Sequence, residues 1–166
     1  MNEPVRYSKG RKWSINKAKK EAVEVFESTD FKSFWGLLIE ILESNHQAKP
    51  VHTLDEMKQL ANLFPDNIKL FLAKKDENIV AGALTYENQK IVHTQYLASS
   101  FEGKNIGALD LLIDKLIKEI YRDKKYFDFG ISNEDEGRYL NAGLIAQKEG
   151  FGAKAVVQDL YELGIK

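Results

Sequence analysis

From Ile106 to Tyr121 the residues Leu109, Leu112, Ile113, Leu116, Ile117 and Ile120 form one apolar stripe at helical spacing, and the segments on either side read as strands. Those strands are Lys90 to Ala98, with the polar run His93-Thr94-Gln95-Tyr96 inside it, and Tyr126 to Ile131, with Asp128 between two phenylalanines. The helix is entered through the glycine-spaced turn Glu102-Gly103-Lys104-Asn105-Ile106-Gly107. A shorter helix from about Gly137 to Lys148 follows, with Ser132 or Asn133 as its cap and Gly150 as a left-handed stop. A final strand is predicted from Ala155 to Leu163.

Upstream, Val23 to Phe26 alternates with glutamate as a short strand would. Phe34, Leu37, Leu38, Ile41 and Leu42 then make Phe31 to Ser44 an amphipathic helix. Thr53-Leu54-Asp55-Glu56 is a capping box, so a second helix starts there; it runs through Leu60 and Leu63 and stops before Pro65. Ile68 to Lys74 and Ile79 to Tyr86 complete, with the polar strand, a three-strand meander.

The chain has 166 residues, enough for a full core, and its 43% hydrophobic and 30% charged content is that of an ordinary folded domain. The absence of cysteine excludes disulfides, thiolate nucleophiles and cysteine metal sites, and fits a cytoplasmic protein. No apolar run approaches the roughly 18 residues that a membrane helix needs. The formal net charge of −1 argues against nucleic-acid binding by the chain as a whole. Charge is unevenly placed, however: no acidic residue lies between Glu3 and Glu21, where Arg6, Lys9, Arg11, Lys12, Lys17, Lys19 and Lys20 all fall. Residues 1–20 therefore read as a basic lead-in or linker, with 21–166 as a single domain, the whole being the C-terminal part of a longer protein. A solvated segment, or one that meets carrier or tRNA phosphates, explains the charge.

Three groups of residues stand out chemically. Gly103 and Gly107, with Lys104 and Asn105 between them, allow a backbone to approach an anion at a helix start; a plain loop explains the glycines as well. His93 and Gln95 share one face of a strand that belongs in the core, and Asp128 sits on its expected neighbour. A His93–Asp128 pair would be a general base or a structural hydrogen bond. His52 flanks the turn between the first two helices, and Gln95 and Tyr96 lie in the polar strand. The three histidines show no metal-ligand spacing, so no metal is expected.

The order of two helices, three antiparallel strands, helix, strand, helix and strand resembles the GNAT acyltransferase superfamily. Lys104-Asn105-Ile106-Gly107-Ala108-Leu109 is similar to that family's basic-x-x-Gly-x-Gly/Ala turn, with Leu109 at the last position. Lys148-Glu149-Gly150-Phe151-Gly152 resembles the FemABX-like, peptidyltransferase-type branch, whereas Ala146 stands where many GNAT enzymes carry a tyrosine acid. The resemblance implies an α/β (α+β) fold: a mixed, mostly antiparallel sheet flanked by helices, with a splayed parallel strand pair. It also implies an N-acyltransferase that moves an acetyl or aminoacyl group from acetyl-CoA, another acyl-CoA or aminoacyl-tRNA to an amine of a small molecule or cell-envelope precursor. Lys148 would stabilise the oxyanion, His93 with Asp128 would act as base, and Gly103, Lys104, Asn105 and Gly107 would hold the donor. His52, beside the helical pair that borders the acceptor in that fold, would bind the acceptor with Gln95 and Tyr96. A second GNAT-like half or a homodimer would complete the site. The competing reading is a non-catalytic GNAT-like domain that binds a ligand or pairs with another half.

Overall fold

The computed structural model of the chain describes residues 6–46, 48–157, 159 and 161–164. They fall into two compact units, Lys9–Ile131 and a smaller one made of the residues before Lys9 and those from Ser132 onward.

The larger unit holds a five-stranded sheet in sequential order: β1 (Glu24–Ser28), β2 (Ile68–Lys75), β3 (Asn78–Glu87), β4 (Ile91–Ser99) and β5 (Tyr126–Asp128). β1 to β4 are antiparallel and β5 runs parallel to β4, which is the mixed, mostly antiparallel sheet expected from the sequence. The parallel pairing covers only Ile91–Tyr126, Val92–Phe127 and His93–Asp128. From Thr94 onward β4 has no ladder partner on that side among the described residues.

Two helices cover one face. α2 (Phe31–His46) and α3 (Leu54–Leu63) bury Phe34, Trp35, Leu38, Met57 and Ala61 against Leu70, Leu72, Leu84 and Ala98. Removing that much apolar surface from water is the main stabilising term of this half. α3 begins as its capping box requires: the Thr53 hydroxyl accepts from Glu56 N–H, and the Glu56 carboxylate accepts from Thr53 N–H at 2.7 Å.

The opposite face carries the element where sequence and structure differ most. The expected turn before the long helix is itself a helix, α4 (Phe101–Ile106), capped by Ser100, whose hydroxyl accepts from Gly103 N–H at 3.0 Å. Gly107 at φ 78° separates it from α5 (Ala108–Lys115), which continues as a π-helical stretch through Ile120. Tyr121 follows, its hydroxyl 3.0 Å from Thr85 Oγ1; burial pushes the phenol pKa up, so it stays protonated.

The basic N-terminal segment is, from Lys9, also a helix: α1 (Lys9–Lys20) buries Ile15 and Ala18 and packs along α5. Its charge has a local reason. Arg11 Nη1 lies 2.6 Å from Asp110 Oδ1, and Lys19 Nζ lies 4.0 Å from Asp114, both carboxylates being buried on α5. Asp114 is also paired with Lys118 at 2.5 Å. Desolvation outweighs Arg11 and pushes the Asp110 carboxyl above its usual range.

β5 stops at Asp128, short of the expected Ile131, because Asp128 Oδ1 accepts from Gly130 N–H at 2.8 Å and Gly130 turns the backbone at φ 70°.

In the smaller unit a two-stranded hairpin, β6 (Asn133–Glu134) and β7 (Tyr139–Leu140), replaces the start of the expected helix. Asp135, Glu136 and Gly137, all at positive φ, make its turn. α6 (Ala142–Gly150) therefore starts later and is capped by Asn141, whose Oδ1 accepts from Leu144 N–H, rather than by Ser132 or Asn133. Gly150 stays helical, and the left-handed glycine is Gly152 at φ 80°. Ser8 N–H donates to Gly150 O, and the Tyr7 ring meets Phe151 edge-on at 5.3 Å.

The strand predicted from Ala155 to Leu163 does not form among the described residues; Gln158 and Leu160 lie outside them. β-branched content does not make a strand without a ladder partner, and Val156, Val157, Tyr161 and Leu163 stand exposed.

Candidate active site

β4 and β5 part immediately after the rung that holds His93 and Asp128. Across it His93 Nδ1 lies 2.8 Å from Asp128 Oδ2, with roughly a third of the imidazole and half of the carboxylate exposed. The carboxylate is fixed from its other side by Gly130 N–H, and Thr94 Oγ1 donates to the Asp128 carbonyl at 3.3 Å. A carboxylate only accepts, so the neutral imidazole carries its proton on Nδ1 and presents a lone pair at Nε2.

Gly130 also sits against the ring. A Cβ at this position would stand 3.2 Å from His93 Cε1, on a backbone that L-residues adopt at a cost of roughly 1–2 kcal/mol. Gly130→Ala is therefore expected to lower stability by about that amount. It should also move the His93 Cε1–H resonance; denaturant unfolding and NMR check the two effects.

The face of β4 is set by a bulge. Leu84 pairs with Tyr96 and Thr85 with Thr94, which leaves Gln95 as the extra residue on β4. The bulge resets the alternation, so His93, opposite Tyr86, shares its face with Tyr96 and not with Gln95 as simple alternation implied. That face is the one covered by α2 and α3. Tyr96 meets Trp35 edge-on at 5.5 Å, and Tyr86 OH points to Met57 Sδ at 3.6 Å. Desolvation, with Tyr96 adding to it, raises the Tyr86 phenol pKa. His52 joins this face: its backbone N–H donates to Tyr96 OH at 3.3 Å, and its Nδ1 lies 2.8 Å from the same oxygen. Five expected or neighbouring polar groups thus gather on one sheet face: His52, Tyr86, Tyr96, His93 and Asp128.

The donor candidates are arranged differently. Gly103 is buried inside α4, where a Cβ would stand 2.1 Å from the Val80 carbonyl oxygen. Gly107 faces the Ser14 carbonyl at 2.5 Å on the same measure. Their N–H groups are bonded to Ser100 Oγ and to the Gly103 and Lys104 carbonyls. Both glycines thus meet the protein's own backbone, and their amides do not fit an anion. Lys104 and Asn105, exposed on α4 directly after β4, do fit one.

Lys148 lies in the last turn of α6, in the smaller unit, with its side chain buried. Among the described residues no group of three or more histidine, aspartate or glutamate side chains is placed to hold a metal. No helix among them is long and apolar enough to cross a membrane.

Residues 9–139 match the profile of the family described as "Acetyltransferase (GNAT) domain". No curated protein matches the chain. Among solved structures, a possible acetyltransferase from Clostridium difficile 630 is similar with a TM-score of 0.64 at 13% identity, over 87% of this chain and 98% of that one. FemX is similar with a TM-score of 0.70 at 14% identity, over 88% of this chain and 54% of FemX. A ribosomal-protein-alanine N-acetyltransferase from Brucella melitensis biovar Abortus 2308 gives 0.59 at 17% identity, over 86% of this chain and 99% of that one. At such identities these likenesses speak for the fold.

Proposed function

The chain belongs to the GNAT acetyltransferase family, and from that premise we propose that it is an N-acyltransferase whose base is His93. The observation that carries this reading is the His93–Asp128 pair, exposed where β4 and β5 separate. A thioester donor supplies the activated acyl carbon when bound. The residues of the chain do the rest: His93 Nε2 takes the proton of the attacking amine as the N–C bond forms, and Asp128 holds the ring and balances the imidazolium. As the C–S bond breaks the donor leaves as a thiol, its sulfur taking up the proton that His93 gives back directly or through solvent. Lys104 and Asn105 meet the donor's phosphates, and Tyr96 with His52 borders the acceptor, while Gln95, the extra residue of the bulge, lies off that face.

For Lys148, in the smaller unit, the likeness of its Gly-Phe-Gly context to the FemABX branch is the sole support for an oxyanion-stabilising role. Acetyl-CoA is the proposed donor, with aminoacyl-tRNA as the alternative. The acceptor class is a small-molecule or envelope-precursor amine, and the proposed setting is the cytoplasm.

One observation favours the second reading, a non-catalytic GNAT-like domain: the two glycines and their amides are engaged inside the protein. Calorimetric titration with acetyl-CoA and with desulfo-coenzyme A separates the two. Micromolar binding that weakens in Lys104→Glu supports the enzyme and its donor site. No heat at millimolar ligand removes coenzyme A as donor and favours the second reading.

A further inference from the structure

His52 and His93 lie on the same sheet face, and their hydrogen bonds give them opposite proton placements. His93 is held at Nδ1 by a carboxylate, which only accepts. His52 is held at Nδ1 by a phenol that already accepts the backbone N–H of His52 at 3.3 Å. The only hydrogen-bond acceptor beside the Tyr96 proton among the described residues is His52 Nδ1, at 2.8 Å. A phenol that gives its proton there fixes His52 with its own proton on Nε2.

We infer that Tyr96 is a positioning residue that turns His52 into a hydrogen-bond donor, so that the acceptor recognised on this face is an amine that also carries an oxygen. His93 Nε2 offers a lone pair to the amine. His52 Nε2–H offers a proton to a hydroxyl, ring or carbonyl oxygen of the same molecule. Tyr96 follows His93 by three positions on β4, but with the bulge between them the two stand opposite Leu84 and Tyr86, about 7 Å of β3 apart, which is a span suited to a sugar-sized acceptor. The inference rests on the proposed acyltransferase reading for its choice of an amine, but the proton placement stands apart from it.

The groups around His52 are few. The Tyr96 ring packs edge-on against it and is itself backed by Trp35, and the Glu56 carboxylate is its charged neighbour, held by Thr53 N–H and Oγ1. Glu56 is thus engaged with the α3 cap, leaving Tyr96 to set the tautomer.

Two-bond proton–nitrogen correlation spectra of the ligand-free chain, recorded where both imidazoles are neutral, read the proton positions directly. The expected result is Nδ1–H for His93 and Nε2–H for His52, with Tyr96→Phe converting His52 to a mixture while His93 is unchanged. Nδ1–H at His52, or an unchanged His52 in Tyr96→Phe, overturns the inference. The oxygen preference is read by titrating the chain with D-glucosamine and with cyclohexylamine to high millimolar concentration. Glucosamine is expected to move the His52 Nε2 resonance and cyclohexylamine to leave it in place. Equal shifts, or no shift with glucosamine, overturn the oxygen preference. Failure of the acyltransferase reading shows separately, as absent coenzyme A binding with the tautomers intact.

Discussion

His93→Gln is expected to lower acyl transfer by about 10²- to 10⁴-fold, the range that a general base contributes, while leaving the fold in place. The release of free thiol from acetyl-CoA in the presence of a primary amine reads the first effect, and thermal unfolding the second. Stability is spared because the imidazole and the carboxylate are both well exposed, and such pairs are worth about 0–1 kcal/mol. Glutamine keeps a polar group near Asp128 but has no basic lone pair to take the amine's proton. Asp128→Asn should give a smaller loss, since it removes the acceptor that holds the His93 proton on Nδ1 and lets the base turn to the other tautomer. A turnover unchanged in His93→Gln would sink the base assignment. A collapse of the melting temperature in the same variant would show that the pair holds the sheet together instead.

That pair was legible in the sequence, for a definable reason. A histidine and an aspartate set into two otherwise apolar strand patterns call for a polar partner, and the two strands flank one helix; the pair forms where β4 and β5 part, with both groups partly exposed. The same logic found α3, whose Thr53 and Glu56 satisfy each other within four residues of chain. What stayed hidden depends on long-range geometry. Nothing local marks Gln95 as a bulge, because the extra residue exists only relative to β3. Arg11 and Lys19 read as part of a solvated or phosphate-meeting lead-in because their counter-charges, Asp110 and Asp114, lie about a hundred residues away on α5. Asn133 and Asn141 are equally good caps by composition; the hairpin between them decides for Asn141.

The glycines of the donor turn were misleading in the same way, and Gly103→Ala tests this with the largest expected loss of stability. Inside a helix alanine is normally favoured over glycine by about 1 kcal/mol. Here the added methyl would stand 2.1 Å from the Val80 carbonyl oxygen, 2.9 Å from its carbon and 2.7 Å from Ser99 Oγ. Two of those atoms belong to the backbone of β3, which pairs on both sides with β2 and β4 and has no freedom to retreat. α4 must lift from the sheet, and overpacking of this kind costs at least about 1–3 kcal/mol, more where backbone is the obstacle. We expect a loss above about 3 kcal/mol by denaturant unfolding, at the top of that range. Gly36, in α2 with nothing within 4 Å of an added Cβ, is the control. Gly36→Ala should stabilise the chain by about 0.4–1 kcal/mol through the unfolded state alone. If Gly103→Ala instead unfolds like the parent and loses coenzyme A binding, the glycine serves a ligand and not the packing of α4 on β3.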